Sequence, residues 1–173
     1  GGLLITKIGI YGHAVALTII AAALLAIAWP RVMVDRPPPE EERPKGGLPL
    51  TPLPWIIGLM ALFSMVPEGA VLDWGALYLR NELGASVAVS GFAFAAFSLT
   101  MAVMRFAGDL VRERLGAVRT LQVCSALSIV GLLTAGAAGN AFIAIIGFAI
   151  AGIGISNMVP IAFSAAGNMP GLA

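Results

Sequence analysis

Charge is scarce in this sequence. Asp, Glu, Lys and Arg together make up 11% of its 173 residues, while hydrophobic residues make up 59%. Soluble domains average about 25% charged and roughly 45–50% apolar residues. A mean hydropathy of +0.95 therefore points to lipid, rather than water, as the solvent of most of the chain. Net charge is only +1, so there is no basic surface to hold nucleic acid, and that class of partner is excluded. Cysteine and histidine occur once each, as Cys124 and His13. A lone thiol in an apolar run builds neither a disulfide framework nor a thiolate metal site, and a lone imidazole builds no zinc site. Catalytic signatures are missing too. The sequence has no G-x-S-x-G, no H-E-x-x-H and no P-loop, so neither an enzyme nor a cofactor is the expectation.

What the sequence does have is long apolar runs. A helix crossing the hydrocarbon core needs about 20 mostly apolar residues, and five stretches qualify: Ile8–Trp29, Leu53–Leu72, Val87–Ala107, Ala117–Ala138 and Ala141–Ala166. They are continuous rather than alternating, which predicts helices and not barrel strands. The expected fold class is all-α, a multi-pass transmembrane helix bundle. The second run is expected to continue as helix towards Leu79, and the fifth to be interrupted by Pro160. The opening GGLLITK has no initiator Met and no basic n-region, so it does not read as a signal peptide. With the ending NMPGLA, it suggests a piece of a longer membrane protein.

The connections assign sides. VDRPPPEEERPKGGLPLTP is charged and Pro-rich, so residues 34–52 read as a solvated linker between a first segment, 1–33, and a second, 53–173. RFAGDLVRERLGAVR reads as a short basic loop, whereas NELGAS and Ala138–Asn140 are tight and carry no Lys or Arg. On an alternating path, Arg31, Arg36, Arg43, Lys45, Arg105, Arg112, Arg114 and Arg119 fall on one side; only Lys7 and Arg80 fall on the other. The positive-inside rule makes the first side cytoplasmic. Small residues in the last two runs, Ala135 with Gly139 and Gly147, Gly152 and Gly154, predict close helix packing.

Against that apolar background a few polar residues stand out. MVPEGAVLDWGALYL places Glu68 and Asp73 at the end of the second run. If that helix enters near Pro54, Glu68 lies about 21 Å along it at 1.5 Å per residue, inside a core about 30 Å thick. Asp73 falls close to the outer interface, beside Trp74 and Tyr78. A charge at mid-membrane costs about 2.5–3.5 kcal/mol, which makes an intramembrane acid a functional-site hypothesis. Two readings of Glu68 stay open: a neutral carboxyl bonded to a neighbouring helix, or a cavity-facing group for binding or proton coupling. Asp73 can be pathway-lining or merely solvated. Pro67 before Glu68, and Pro160 after Asn157, are expected helix breaks. Asn157 can serve as interhelical glue or as a hydrogen-bonding partner for a solute. His13, near an interface, reads as a hydrogen-bonded surface residue or a functional one.

RFAGDLVRERLGAVRTL resembles the cytoplasmic loop motif of the major facilitator superfamily. Glu113-Arg114-Leu115-Gly116 stands where the family has Asp-Arg-x-Gly, with Arg112 beside it. Gly108-Asp109 lies one residue further upstream than in the best-known form, and Ala117-Val118 replaces a basic pair. EGAVLDWGALYL and NMVPIAFSAAGNMPG look like the seventh and tenth helices of the MosC-like, sugar-permease-related bacterial subgroup. The resemblance implies helices six to ten of twelve, with the Pro-rich linker joining two six-helix halves and the N-terminal half as partner. It implies a secondary transporter in a bacterial inner membrane, moving a small, sugar-like solute by alternating access, with proton coupling. Glu68, Asp73, Trp74 and Asn157 would line its pathway. The alternative is a non-transporting helix bundle, an assembly partner or sensor.

Overall fold

The computed structural model describes residues 2–31 and 51–168. The Pro-rich stretch at 34–50 and the last five residues lie outside the described residues. The chain divides into two compact units, one before and one after the Gly46–Gly47 boundary.

The first unit contains α1 (Gly2–Ala28), followed by a 3-10 turn at Trp29–Arg31. Gly9 interrupts the helix with φ 70°, a left-handed conformation that glycine adopts without steric cost. The stretch from Lys7 to Ala28 is long and apolar enough to cross a membrane.

The second unit is built from α2 (Pro52–Asn81), α3 (Val87–Leu115), α4 (Ala117–Gly136), α5 (Ala141–Ile155) and α6 (Met158–Gly167). No strand occurs among the described residues. With α5 and α6 taken together as one interrupted span, five segments of the described chain can cross a bilayer. The chain is a multi-pass membrane bundle.

Where each helix starts and stops follows from its ends. Pro52 opens α2 in its first turn, where a missing N–H costs nothing. Ser86 caps α3 by accepting from the Val89 N–H at 3.3 Å, and Asn140 caps α5 by accepting from the Ile143 N–H at 3.0 Å. Arg112 and Arg114 occupy the last turn of α3, where cations complement the helix dipole. Gly116, with φ 78°, then turns the chain directly into α4.

Three expectations about helix ends change here. The segment read as a basic loop is mostly helix. Gly108, Asp109, Arg112, Glu113 and Arg114 all lie on α3, and the turn is Gly116 alone. Hydropathy marks where the hydrocarbon ends, while the helix continues until a residue such as Gly116 stops it. Pro67 does not break α2, which runs through it for 30 residues. The proline removes the partner of the Phe63 carbonyl, a local loss that a long helix can carry. Pro160 is accompanied by a real break, displaced upstream: α5 ends at Ile155 and α6 begins at Met158. Pro160 has no N–H to offer the Ser156 carbonyl, so the ladder fails four residues before the proline. In the first turn of α6, by contrast, the same ring is tolerated.

α5 is the central helix. Half of the span it shares with α6 is buried, compared with 17–22% for the spans of α2, α3 and α4. It lies against α4 and α3 at backbone distance. A Cβ on Gly147 would stand 2.5 Å from the Ala135 nitrogen and 2.7 Å from the Gly131 oxygen. Gly154 faces Cys124 and Ser128 in the same way, and Gly152 faces the Phe97 carbonyl and Thr100. The packing expected from small residues is therefore present. Gly139 takes no part in it, because it lies in the loop beyond α4 with nothing within 4 Å. Val71, Leu79, Phe97, Phe148 and Ile155 complete the apolar core.

Several hydroxyls bond back along their own helix. Thr18 donates to Ala14, Ser64 to Met60, Thr120 to Gly116 and Thr134 to Val130, each to the carbonyl four residues back. Such bonds satisfy a polar group without a partner helix.

Candidate functional site: a polar turn inside the bundle

One turn of α3, from Met104 to Gly108, gathers the polar chemistry. Arg105 sits ten residues before the end of α3, roughly 15 Å inside it at 1.5 Å per residue. Its guanidinium reaches Glu68 on α2, with Nη2 and Oε2 3.7 Å apart. Among the described residues this is the ion pair found, and it is partly open: the two side chains are 50% and 34% exposed. Glu68 lies 16 residues from the start of α2, about 24 Å along it, so it stands near the middle of α2 while Arg105 stands about two thirds of the way along α3.

Met104 and Gly108 share the neighbouring face of that turn, and Asn157 packs there. The Asn157 amide donates to the Met104 carbonyl at 3.4 Å and to the Ser156 hydroxyl at 3.2 Å. Gly108 leaves the space that this amide fills, since a Cβ there would collide with Asn157 Oδ1. Asn157 is 5% exposed and capped by α3 backbone. Of the two readings of this residue, interhelical glue is the one with observed partners.

A second link lies one turn further on. Arg112 donates to the Ser164 hydroxyl at 3.1 Å, joining the basic end of α3 to α6. Asp109, Glu113 and Arg114 on the same segment are exposed.

α2 and α4 flank two apolar clefts. One, of about 290 Å³, is lined by Val71, Trp74, Gly75, Tyr78, Leu132 and Phe148 among others. Tyr78 spans its end, donating to the Ala135 carbonyl at 2.9 Å and resting edge-on against Phe148. The other, of about 370 Å³, lies between Met60, Phe63 and Ser64 of α2, Leu121 and Ser125 of α4, and Met158 of α6. Trp74 thus borders a cleft, while Asp73 is exposed. Neither cleft is lined by Glu68 or Asn157. On α1, His13 Nδ1 is shielded without a hydrogen-bond partner among the described residues. No group of three or more His, Cys, Asp or Glu residues is placed to hold a metal among them either.

The four expected pathway residues do not converge on one pocket. The structure joins Glu68 instead to Arg105, which is not among those four. By charge alone, Arg105 opens the basic stretch RFAGDLVRERLGAVR and marks only its side of the membrane. A signal was nevertheless present. Arg105 falls within the Val87–Ala107 run between Met104 and Phe106, and an arginine inside a span requires a counter-charge. Glu68 is the acid lying inside another run.

The sequence profile described as Major Facilitator Superfamily matches residues 1–172. An uncharacterised MFS-type transporter of Yersinia pestis is 37% identical over 125 residues, covering 71% of this chain and 33% of the relative. Membrane protein MosC of Rhizobium meliloti is 30% identical over 162 residues, covering 91% of this chain and 40% of the relative. An uncharacterised transporter of Sinorhizobium fredii is 30% identical over 112 residues, covering 65% of this chain and 30% of the relative. The chain thus spans about a third to two fifths of the length of these curated relatives. No solved structure matches it.

Proposed function

Since this chain belongs to the major facilitator superfamily, we propose that its helices form part of the solute pathway of a secondary transporter working by alternating access in a bacterial inner membrane. Glu68 is the ionisable group of that pathway and couples solute movement to protons. The observation that carries the reading is the Glu68–Arg105 pair, placed inside two apolar spans and left partly open. Intramembrane ionisable residues cost several kcal/mol unless paired and are characteristic of ion and substrate routes. The charge distribution favours an orientation in which residues 34–52 and the Gly116 turn face the cytoplasm.

The break at Ser156–Asn157 also suits such a role. Discontinuous helices near the bilayer midplane are the usual places where transporters rearrange around their sites. α5 is held by backbone contact with α4 and α3, whereas α6 packs mainly against α2. The two halves of the interrupted span can therefore follow different neighbours. Asp73 and Trp74 shape the mouth at the Asn81 end of α2.

The test is solute uptake into proteoliposomes by the full-length protein containing these residues, with an imposed proton gradient. Glu68→Gln should abolish gradient-driven uptake. Unchanged uptake and unchanged proton coupling would remove Glu68 from the pathway. Tolerance of Glu68→Ala, with no solute taken up by the wild type, would favour the non-transporting alternative.

A further inference from the structure

We propose that Arg105 is an anion-recognising residue, with Glu68 as its displaceable counter-ion, so that the solute carries a carboxylate or phosphate group. This rests on the transporter reading above and specifies its substrate class. A guanidinium has five N–H donors in a planar fork that fits a carboxylate or phosphate with two parallel bonds. Here it has a single carboxylate contact, at 3.7 Å. Charge-assisted hydrogen bonds of this type close to about 2.7–2.9 Å. Glu68 thus supplies charge without using the fork, and half of the Arg105 side chain is open to an incoming group.

Among the described residues no other acid competes for that place. α2 also carries Asp73 and Arg80; α3 also carries Asp109, Arg112, Glu113 and Arg114. None of them forms an ion pair with Glu68 or Arg105 among the described residues. α5 and α6 carry no charged residue at all, and α4 carries only Arg119, near its start. A solute anion that engages the fork replaces the Glu68 carboxylate as counter-charge. The displaced carboxylate and the solute anion then stand beside one guanidinium, and a proton taken up from solvent relieves their mutual repulsion. One negative charge enters, one proton follows, and the net charge of the site is unchanged. A neutral sugar can accept a bond from Arg105, but it cannot replace the carboxylate, so it gains nothing from this pair.

The experiment uses the full-length protein in detergent, with inorganic phosphate, acetate and succinate as anionic probes and glucose as a neutral one. Binding is followed by calorimetry and proton uptake by a pH-indicator dye in weak buffer. At least one anionic probe should bind with uptake of about one proton, while glucose should not. Arg105→Gln should weaken that binding at least tenfold. Glu68→Gln should keep binding but lose proton uptake. The decisive variant is the double one, Glu68→Gln with Arg105→Gln, which removes both charges and leaves no unpaired ion to unfold the bundle. It should stay folded and fail to bind the anion. Wild-type anion binding by this double variant would show the pair to be merely structural and overturn the proposal. So would glucose binding that depends on Glu68 and ignores Arg105, an outcome that leaves the transporter reading intact. A wild-type protein that transports a solute but binds none of the anionic probes would likewise overturn it.

Discussion

The sharpest test of the packing is a single methyl group at position 147. Gly147 of α5 sits so close to α4 that an alanine Cβ would stand 2.5 Å from the Ala135 nitrogen, 2.7 Å from the Gly131 oxygen and 2.8 Å from the Ala135 Cα. Non-bonded heavy atoms are at rest near 3.5–4.0 Å, so the two helices must part by about 1 Å. All three obstructing atoms are backbone, which no rotamer change can move. Overpacking of this kind costs about 1–3 kcal/mol, and a gap of about 1 Å would weaken the dispersion contacts along the seam, including those of Gly154 with Cys124 and Ser128. These 173 residues carry their own reporter, because Cys124 is the sole cysteine among them and is buried in α4. Heating the detergent-solubilised protein with a thiol-reactive fluorogenic dye should show labelling of Cys124 several degrees lower in Gly147→Ala than in the wild type. Gly136→Ala is the control, since nothing lies within 4 Å of a Cβ there, and it should label at an unchanged or slightly higher temperature. Equal behaviour of the two variants would refute the claim that backbone contact holds α4 to α5.

Other expectations follow from individual contacts. Tyr78→Phe removes the bond to the Ala135 carbonyl while keeping the edge contact with Phe148; the same assay should show a loss of about 0.5–1.5 kcal/mol, and no change would mean that the hydroxyl is idle. Gly108→Ala should destabilise the bundle because its methyl collides with Asn157, and Asn157→Ala should largely rescue it. A double-mutant cycle without coupling would show that the two residues do not meet. Arg112→Ala should cost the Ser164 bond at the end of α3 and raise proteolytic cutting near α6; identical cutting patterns would refute that anchoring.

How much of this was legible in the sequence depends on what each feature rests on. The five spans were legible because they rest on local composition, and tertiary packing cannot alter the solvent a run of 20 apolar residues prefers. The glycines of α5 were legible as a packing surface, though Gly139 was not distinguishable from them without knowing that α4 stops at Gly136. The length of α3 was hidden because charge ends a hydropathy window without ending a helix. Asn157 and Glu68 were visible as polar residues in apolar company, but their partners were not. Met104 offers a carbonyl, which every residue has, and Gly108 offers only space. Arg105 was read as a marker of sidedness, and its second role needed the antiparallel pairing of α2 and α3 to bring it to Glu68.

The self-bonded hydroxyls have a consequence for biogenesis. A helix whose Ser and Thr side chains already bond its own carbonyls presents few bare polar groups to lipid, so it can leave the ribosome and enter the bilayer singly, before its neighbours exist. Thr18, Ser64, Thr120 and Thr134 are of this kind. The bonds of Tyr78 and Asn157 to other helices form only on assembly. Glu68 and Arg105 lie between these cases, because α2 and α3 are consecutive. As a hairpin the two helices can carry both charges across together, each neutralised by a partner synthesised within the same few seconds.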